Sequence, residues 1–157
     1  MRGKCLYVVA IASLVMAALV ACGPSQGGAR KEASGETVLK QLQGTWKFIA
    51  QEMDGKSKKA EELKGMTITF TGDKWSVQMD GKEIQAGTHK FDPSKKPGQV
   101  DAKVTEGQVK GSTMLGIYES AGDTFKVCFD PKGKERPTSF TAKAGQFSAV
   151  VQREKTK

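Results

Sequence analysis

Apolar and polar side chains alternate with a period of two along most of the chain after residue 44. Trp46, Phe48 and Ala50 alternate with the polar residues Thr45, Lys47 and Gln51, and the same pattern recurs in seven further runs. Because successive strand residues point to opposite faces, this pattern predicts half-buried β-strands. Turn residues separate the runs, and Asp80-Gly81 is a strong hairpin signal. The pattern therefore predicts eight principal strands, nearly all of them joined as antiparallel neighbours.

The inward faces of these strands are expected to carry bulky side chains: Trp46, Phe48, Phe70, Trp75, Phe125, Phe129 and Phe147. Eight strands close into a barrel whose interior is either just filled by side chains or holds one small ligand. Closure also removes open sheet edges. We therefore predict an all-β fold, a small eight-stranded antiparallel up-and-down barrel, with an open two-sheet sandwich as the alternative. The first six of these aromatic residues are the candidate ligand cavity or core.

Two stretches depart from the period of two. Residues 37–43 place Val38, Leu39 and Leu42 on one face, which predicts a short helix that Thr37 could cap and that Gly44 would end. Residues 57–63 contain helix-forming residues between the first two strands. They predict a helical turn over one end of the sheet, with Ser57 as its cap.

The strand from Glu83 to Phe91 contains a change of phase. Ile84 and Ala86 share one face and Phe91 lies on the other, with Gly87 between them, which predicts a β-bulge near Gly87. His89 lies in this strand and is the one histidine of the chain. We expect it on the outer face, and a single histidine without cysteine or paired carboxylates predicts neither a zinc site nor a catalytic triad.

The N-terminus is typical of an export signal. A basic start is followed by an apolar run from Cys5 to Val20, which is shorter than the ~20 residues of a membrane-spanning helix. The sequence Leu19-Val20-Ala21-Cys22 resembles the bacterial lipoprotein signal, in which the cysteine is lipidated and becomes the new N-terminus. An ordinary secretory signal or an uncleaved anchor is the alternative.

This resemblance implies three segments. Residues 1–21 would be the lipoprotein signal peptide, residues 22–36 the lipidated Cys22 with a Gly/Ser/Pro-rich flexible tether, and residues 37–157 the barrel domain. The protein would be exported and held on the cell envelope through the lipid anchor, facing the periplasm or the surface.

The chain is basic, with 25 Lys and Arg against 17 Asp and Glu and a net charge of +8. The basic residues concentrate in three predicted loops: Lys56, Lys58, Lys59 and Lys64; Lys95 and Lys96; Lys132, Lys134 and Arg136. If these loops share one end, they form a positive rim for an anionic envelope surface or protein. The alternative is that these basic residues are simply solvated. Nucleic acid is disfavoured as a partner because the protein is expected to be exported and because the basic loops contain no interleaved aromatic residues.

The motif Gly44-Thr45-Trp46 at the first strand resembles the Gly-x-Trp signature of the lipocalin and calycin barrels. In those barrels an arginine from the last strand packs over the tryptophan, so the resemblance implies that Gly44, Trp46 and Arg153 form the structural closure. The helix predicted before the first strand would cover the end of the barrel at which Trp46 and Arg153 meet.

A longer set of motifs resembles an uncharacterised family of small lipocalin-like domains expanded in planctomycete-type bacteria. They are residues 42–46, 62–65, 92–97, 114–119 and 122–129. The resemblance implies the fold and brings no ligand, activity or catalytic residue with it.

Three classes of function remain in view. The first is a lipid-anchored, non-enzymatic binding module for a small apolar molecule. The second is a filled barrel that acts as a structural or protein-interaction domain, inhibitor-like in one version, through its basic loops. An enzyme is disfavoured because no nucleophile–base pair or metal set is visible, and we expect no catalytic residue, metal or cofactor. Cys128 would be the remaining thiol once Cys22 is lipidated, and we interpret it as a small apolar strand residue.

Overall fold

The computed structural model describes residues 34–155. They form a closed antiparallel barrel of eight strands, preceded by one short helix and extended by one additional short strand, β2. The elements are α1 (Gly35–Leu42), β1 (Gly44–Met53), β2 (Lys56–Lys59), β3 (Met66–Thr71), β4 (Lys74–Met79), β5 (Lys82–Asp92), β6 (Gly98–Glu106), β7 (Thr113–Ala121), β8 (Thr124–Asp130) and β9 (Phe147–Arg153). The predicted eight-stranded up-and-down barrel is confirmed, and the sandwich is excluded.

The barrel closes where the first strand meets the last. β1 pairs with β9 from Trp46↔Arg153 to Met53↔Phe147. On its other side, β1 pairs with β3 through its first residues and with β2 through its last four. β2 is therefore a hairpin extension of β1 that continues the sheet beyond the start of β3.

The connection after β2 corrects part of the sequence prediction. Ser57, the expected cap, lies within β2. Helical turning is confined to the following residues, where the Leu63 amide donates to the Lys59 carbonyl. All four residues of β2 are polar and exposed, so the tight Asp54-Gly55 turn and the pairing with β1 hold this segment extended against the helix propensity of its lysines.

The helix α1 covers one end of the barrel, which we call the closed end. Ser34 caps the helix, because its side chain accepts a hydrogen bond from the Thr37 amide. The predicted cap was Thr37, so the helix begins earlier than predicted and includes Gly35 and Glu36 of the expected tether. Val38 and Leu42 are buried against the barrel. Gln43 ties the helix to the β3–β4 turn, because its side chain accepts from the Gly72 amide and donates to the Gly72 carbonyl.

The predicted bulge lies in β5, where the pairing with β6 shifts between Ala86 and Gly87. A Cβ on Gly87 would lie 2.1 Å from the Lys103 carbonyl oxygen, so only glycine fits this close approach. After the bulge, Gly87, His89 and Phe91 all face inward and are buried. The prediction that His89 faces outward is therefore wrong, because His89 shares the phase of Phe91.

A long connection, residues 131–146, lies across the outer face of β6–β8. The Arg136 guanidinium donates to the carbonyls of Val100 and Gly116, and the Lys126 ammonium lies 4.8 Å from the centre of the Phe140 ring. Beneath this segment Ile117 and Cys128 are buried, although both lie on the face opposite the barrel interior. The segment therefore encloses a second small apolar layer outside the barrel.

Candidate functional site

The barrel interior holds a cavity of about 600 Å³. Five of the six aromatic residues expected at the cavity or core line it: Phe48, Phe70, Trp75, Phe125 and Phe129. Aliphatic side chains from nearly all of the strands complete the wall, and its polar members are Gln51, Gln85, Gln108 and His89. A cavity of this volume and apolar character has the properties of a small-molecule site.

Trp46, the sixth predicted residue, does not line the cavity and instead packs at the closed end. Its ring is fully buried, and its indole Nε1 donates to the Leu42 carbonyl at 2.8 Å. The Arg153 guanidinium lies 4.3 Å from the centre of the ring and donates to the carbonyls of Gln41 and Gln43. Arg153 thus joins the end of β9 to the end of α1 across the face of Trp46. Gly44 begins β1 beside this group with a φ of 107°, which favours glycine.

Aromatic rings form the floor of the cavity next to the closed end. Phe125 lies within 6.3 Å of the ring centres of Trp46, Phe70, Phe91 and Tyr118, edge-to-face with Phe70 and Phe91 and tilted against the other two. Such pairs add about 0.5–1.5 kcal/mol beyond their buried area. The inner half of the barrel is therefore packed, whereas the outer half is open, so the barrel combines the core and the cavity that the sequence left as alternatives.

His89 belongs to this floor and is 8% exposed. Its ring centre lies 4.7 Å from that of Phe91 and 5.4 Å from that of Phe70. Burial lowers the pKa of His89 from 6.5 to about 4, against a smaller opposing effect of Asp73, so the ring is neutral at neutral pH. Among the described residues, its Nε2 is the buried side-chain polar atom without a hydrogen-bond partner.

The mouth of the cavity lies at the end opposite α1. Met53, Ile84 and Val109 line the cavity, and they are the large apolar side chains of residues 34–155 that remain well exposed. Gln51 lies near the end of β1, Gln85 near the start of β5 and Gln108 in the β6–β7 turn. All three positions are at the mouth end of the barrel. The side chains that line the mouth are thus apolar or uncharged polar, although lysines of the adjacent loops lie at the same end of the barrel.

The basic loops do not form the single rim that their clustering suggested. Lys56, Lys58, Lys59 and Lys64, and the start of the 131–146 connection with Lys132 and Lys134, are at the mouth end, because they follow β1 and β8. Lys95 and Lys96 lie in the β5–β6 loop at the closed end. Arg136 turns back over β6 and pairs with Asp101. The three-loop positive rim is therefore excluded by topology.

Cys128 is fully buried in the outer apolar layer, and burial raises the pKa of its thiol. Since the thiolate is the reactive form, we expect iodoacetamide to leave Cys128 unlabelled in the native protein and to label it quickly after denaturation. Mass spectrometry of the peptide that contains Cys128 measures this difference. Rapid labelling under native conditions would show that the 131–146 segment opens readily.

No group of three or more His, Cys, Asp or Glu side chains in residues 34–155 could hold a metal ion. Over the same range, no helix has the length and apolar character needed to cross a membrane. Comparison of the chain with protein-family models, curated proteins and solved structures finds no match.

Proposed function

We propose that the barrel binds a small apolar molecule. The observation that carries this proposal is the cavity of about 600 Å³, whose wall is apolar except for three glutamines and one histidine. A cavity of ~150 Å³ lined by aliphatic and aromatic side chains stays dry and binds benzene. On that scale the barrel has room for on the order of 20 non-hydrogen atoms.

The position of the mouth supports the same proposal. Met53, Ile84 and Val109 leave apolar surface exposed at the point where a ligand would enter. Exposed apolar side chains that are grouped in one patch are typical of ligand-binding grooves and interaction surfaces. A filled barrel would have neither this opening nor the unoccupied volume behind it, which favours the binding module over the filled-core alternative.

The cellular setting of this binding module is also a proposal. The lipoprotein-like signal and Cys22 lie outside the described residues, and they would hold the domain on the cell envelope by acyl chains. A tethered barrel of this kind would exchange its apolar ligand close to a membrane, without enzymatic conversion. The lipocalin-like family resemblance is consistent with the barrel and adds no ligand of its own.

Titration with N-phenyl-1-naphthylamine tests the proposed function. This apolar probe fluoresces strongly only when removed from water, and we expect saturable binding with a Kd of ~100 µM or tighter, given ~0.3 kcal/mol or more per non-hydrogen atom. Ala102→Phe places a ring inside the cavity wall, where Ala102 is buried, and should weaken binding at least about tenfold.

Ala144→Phe is the matched control, because Ala144 is exposed in the connection before β9 and does not line the cavity. It should bind the probe as the unmodified protein does. No saturable binding to the unmodified protein, or equal binding to both variants, would contradict a ligand site inside the barrel.

A further inference from the structure

The floor of the cavity contains one polar group that the protein itself leaves unsatisfied. His89 is buried, borders the cavity and has no partner for its Nε2 within residues 34–155. A buried polar atom without a hydrogen bond destabilises a fold by about 1–3 kcal/mol. A group of this kind in a binding cavity is readily explained if a ligand supplies the missing partner.

The surroundings of His89 separate it from the other polar residues of the wall. Phe70 and Phe91 flank the imidazole, and its strand neighbour across the sheet is Ala102. Gln85 is four residues closer to the mouth along the same strand, which corresponds to roughly 13 Å. A polar group at the inner end of a bound molecule would therefore find only His89, whereas the rest of the molecule would contact apolar side chains.

We propose that the ligand is an apolar molecule with one hydroxyl group, and that this hydroxyl enters first and hydrogen-bonds to His89 at the floor of the cavity. This inference rests on the proposed function. Nε2 is enclosed by its neighbours, and the χ2 torsion of histidine is broad. The proposal therefore requires the imidazole to rotate about its Cβ–Cγ bond so that Nε2 faces the ligand.

The chemistry of the site favours a hydroxyl over a charged head group. A neutral imidazole nitrogen is either a donor or an acceptor, and a hydroxyl can complement both forms. A carboxylate would require a charged partner to remain ionised among aromatic rings, and the neutral state of His89 does not supply one. No lysine or arginine side chain lines the cavity along the described strands and turns.

A matched pair of fluorescent probes tests the proposal. 1-Hydroxypyrene and 1-methylpyrene have nearly the same shape and differ by a hydroxyl in place of a methyl group. The measured quantity is the ratio of the two Kd values, compared between the unmodified protein and His89→Phe, so that the different hydration of the probes cancels. We expect the preference for 1-hydroxypyrene to fall about 2- to 10-fold in His89→Phe, as expected for one lost hydrogen bond.

Gln85→Leu is the matched control because it removes a polar side chain from the mouth instead of the floor. Because Gln85 itself lines the cavity, both Kd values are expected to change, but their ratio should stay that of the unmodified protein. An unchanged ratio in His89→Phe, with both probes still bound, would overturn the role of His89 and leave the proposed function intact. Loss of the preference in Gln85→Leu would also overturn it, whereas failure of both probes to bind the unmodified protein would contradict the proposed function itself.

A measurement on the unmodified protein covers the case in which His89→Phe does not fold. The chain has one histidine, so its imidazole ¹⁵N signals belong to His89, and their couplings to the carbon-bound ring protons distinguish Nε2 from Nδ1. Saturating 1-hydroxypyrene should shift the Nε2 resonance, and 1-methylpyrene should shift it much less. Equal shifts with the two probes would show that the hydroxyl does not reach His89.

Discussion

Replacement of Trp46 by alanine is expected to lower the free energy of unfolding by about 3–5 kcal/mol, the usual cost of deleting a buried tryptophan side chain. Trp46 is fully buried, and it holds three elements together. Its Nε1 donates to the end of α1, its backbone pairs with β3 and β9, and its ring supports the Arg153 guanidinium. Chemical denaturation followed by circular dichroism measures the loss.

Trp75→Ala provides the matched comparison. Trp75 is also buried, but its ring borders the cavity, so fewer atoms lose a packing partner when it is removed. We therefore expect Trp75→Ala to cost less than Trp46→Ala. A loss below about 1 kcal/mol for Trp46→Ala, or a larger loss for Trp75→Ala, would show that the closed end does not organise the barrel.

The strands of this barrel could be predicted because each inward position is apolar and each outward position is polar over most of their length. Val100, Ala102 and Val104 in β6 illustrate this, since all three are buried and their neighbours Asp101 and Lys103 are exposed. Tight turns at Asp80-Gly81 and Gly122 fixed the order of pairing. Local pattern and local turns are sufficient for an up-and-down barrel because each strand pairs with its sequence neighbours.

The cavity could not be predicted from the same pattern. Alternation identifies which side chains face inward, but the volume that they must fill depends on strand tilt and stagger, which the pattern does not contain. Phe125 and Phe129 both lie on the inward face of β8 and both line the cavity, yet Phe125 contacts four rings of the aromatic floor whereas Phe129 stacks on Phe147 alone. The sequence therefore left core and cavity as alternatives, and both are present at different depths.

The position of His89 was missed for a different reason. The sequence predicts the bulge at Gly87, but the inward-facing residues after the bulge can be identified only from Phe91. His89 is two positions before Phe91 in the strand and therefore lies on the same face. The outer layer over Cys128 was missed as well, because the 131–146 connection contains no periodic pattern. Its position depends on long-range contacts such as those of Arg136 with β6 and β7.

Acidification from neutral pH should destabilise the protein chiefly through His89. The pKa of His89 is about 4 in the folded protein and 6.5 in the unfolded chain. Between these values the unfolded chain binds a proton that the folded protein excludes, so the free energy of unfolding falls as the pH falls from 6.5 to about 4. Hydrogen bonds from Ser94 lower the pKa of Asp92 from 3.8, and, against the opposing effect of burial, backbone hydrogen bonds from residues 132, 134 and 135 lower that of Asp130. The stability that these two carboxylates contribute is therefore lost only below this window.

Denaturant unfolding near pH 7 and near pH 4.5 should therefore give a difference of about 2–3 kcal/mol attributable to His89. His89→Phe keeps a ring at this position and removes the titrating group. Its own difference between the two pH values should be smaller by that amount, whatever the substitution does to its absolute stability. An equal pH dependence of the two proteins would mean that the imidazole takes up its proton without unfolding. In that case the floor of the cavity would admit water or a charged group, and the argument for an uncharged ligand would fail with it.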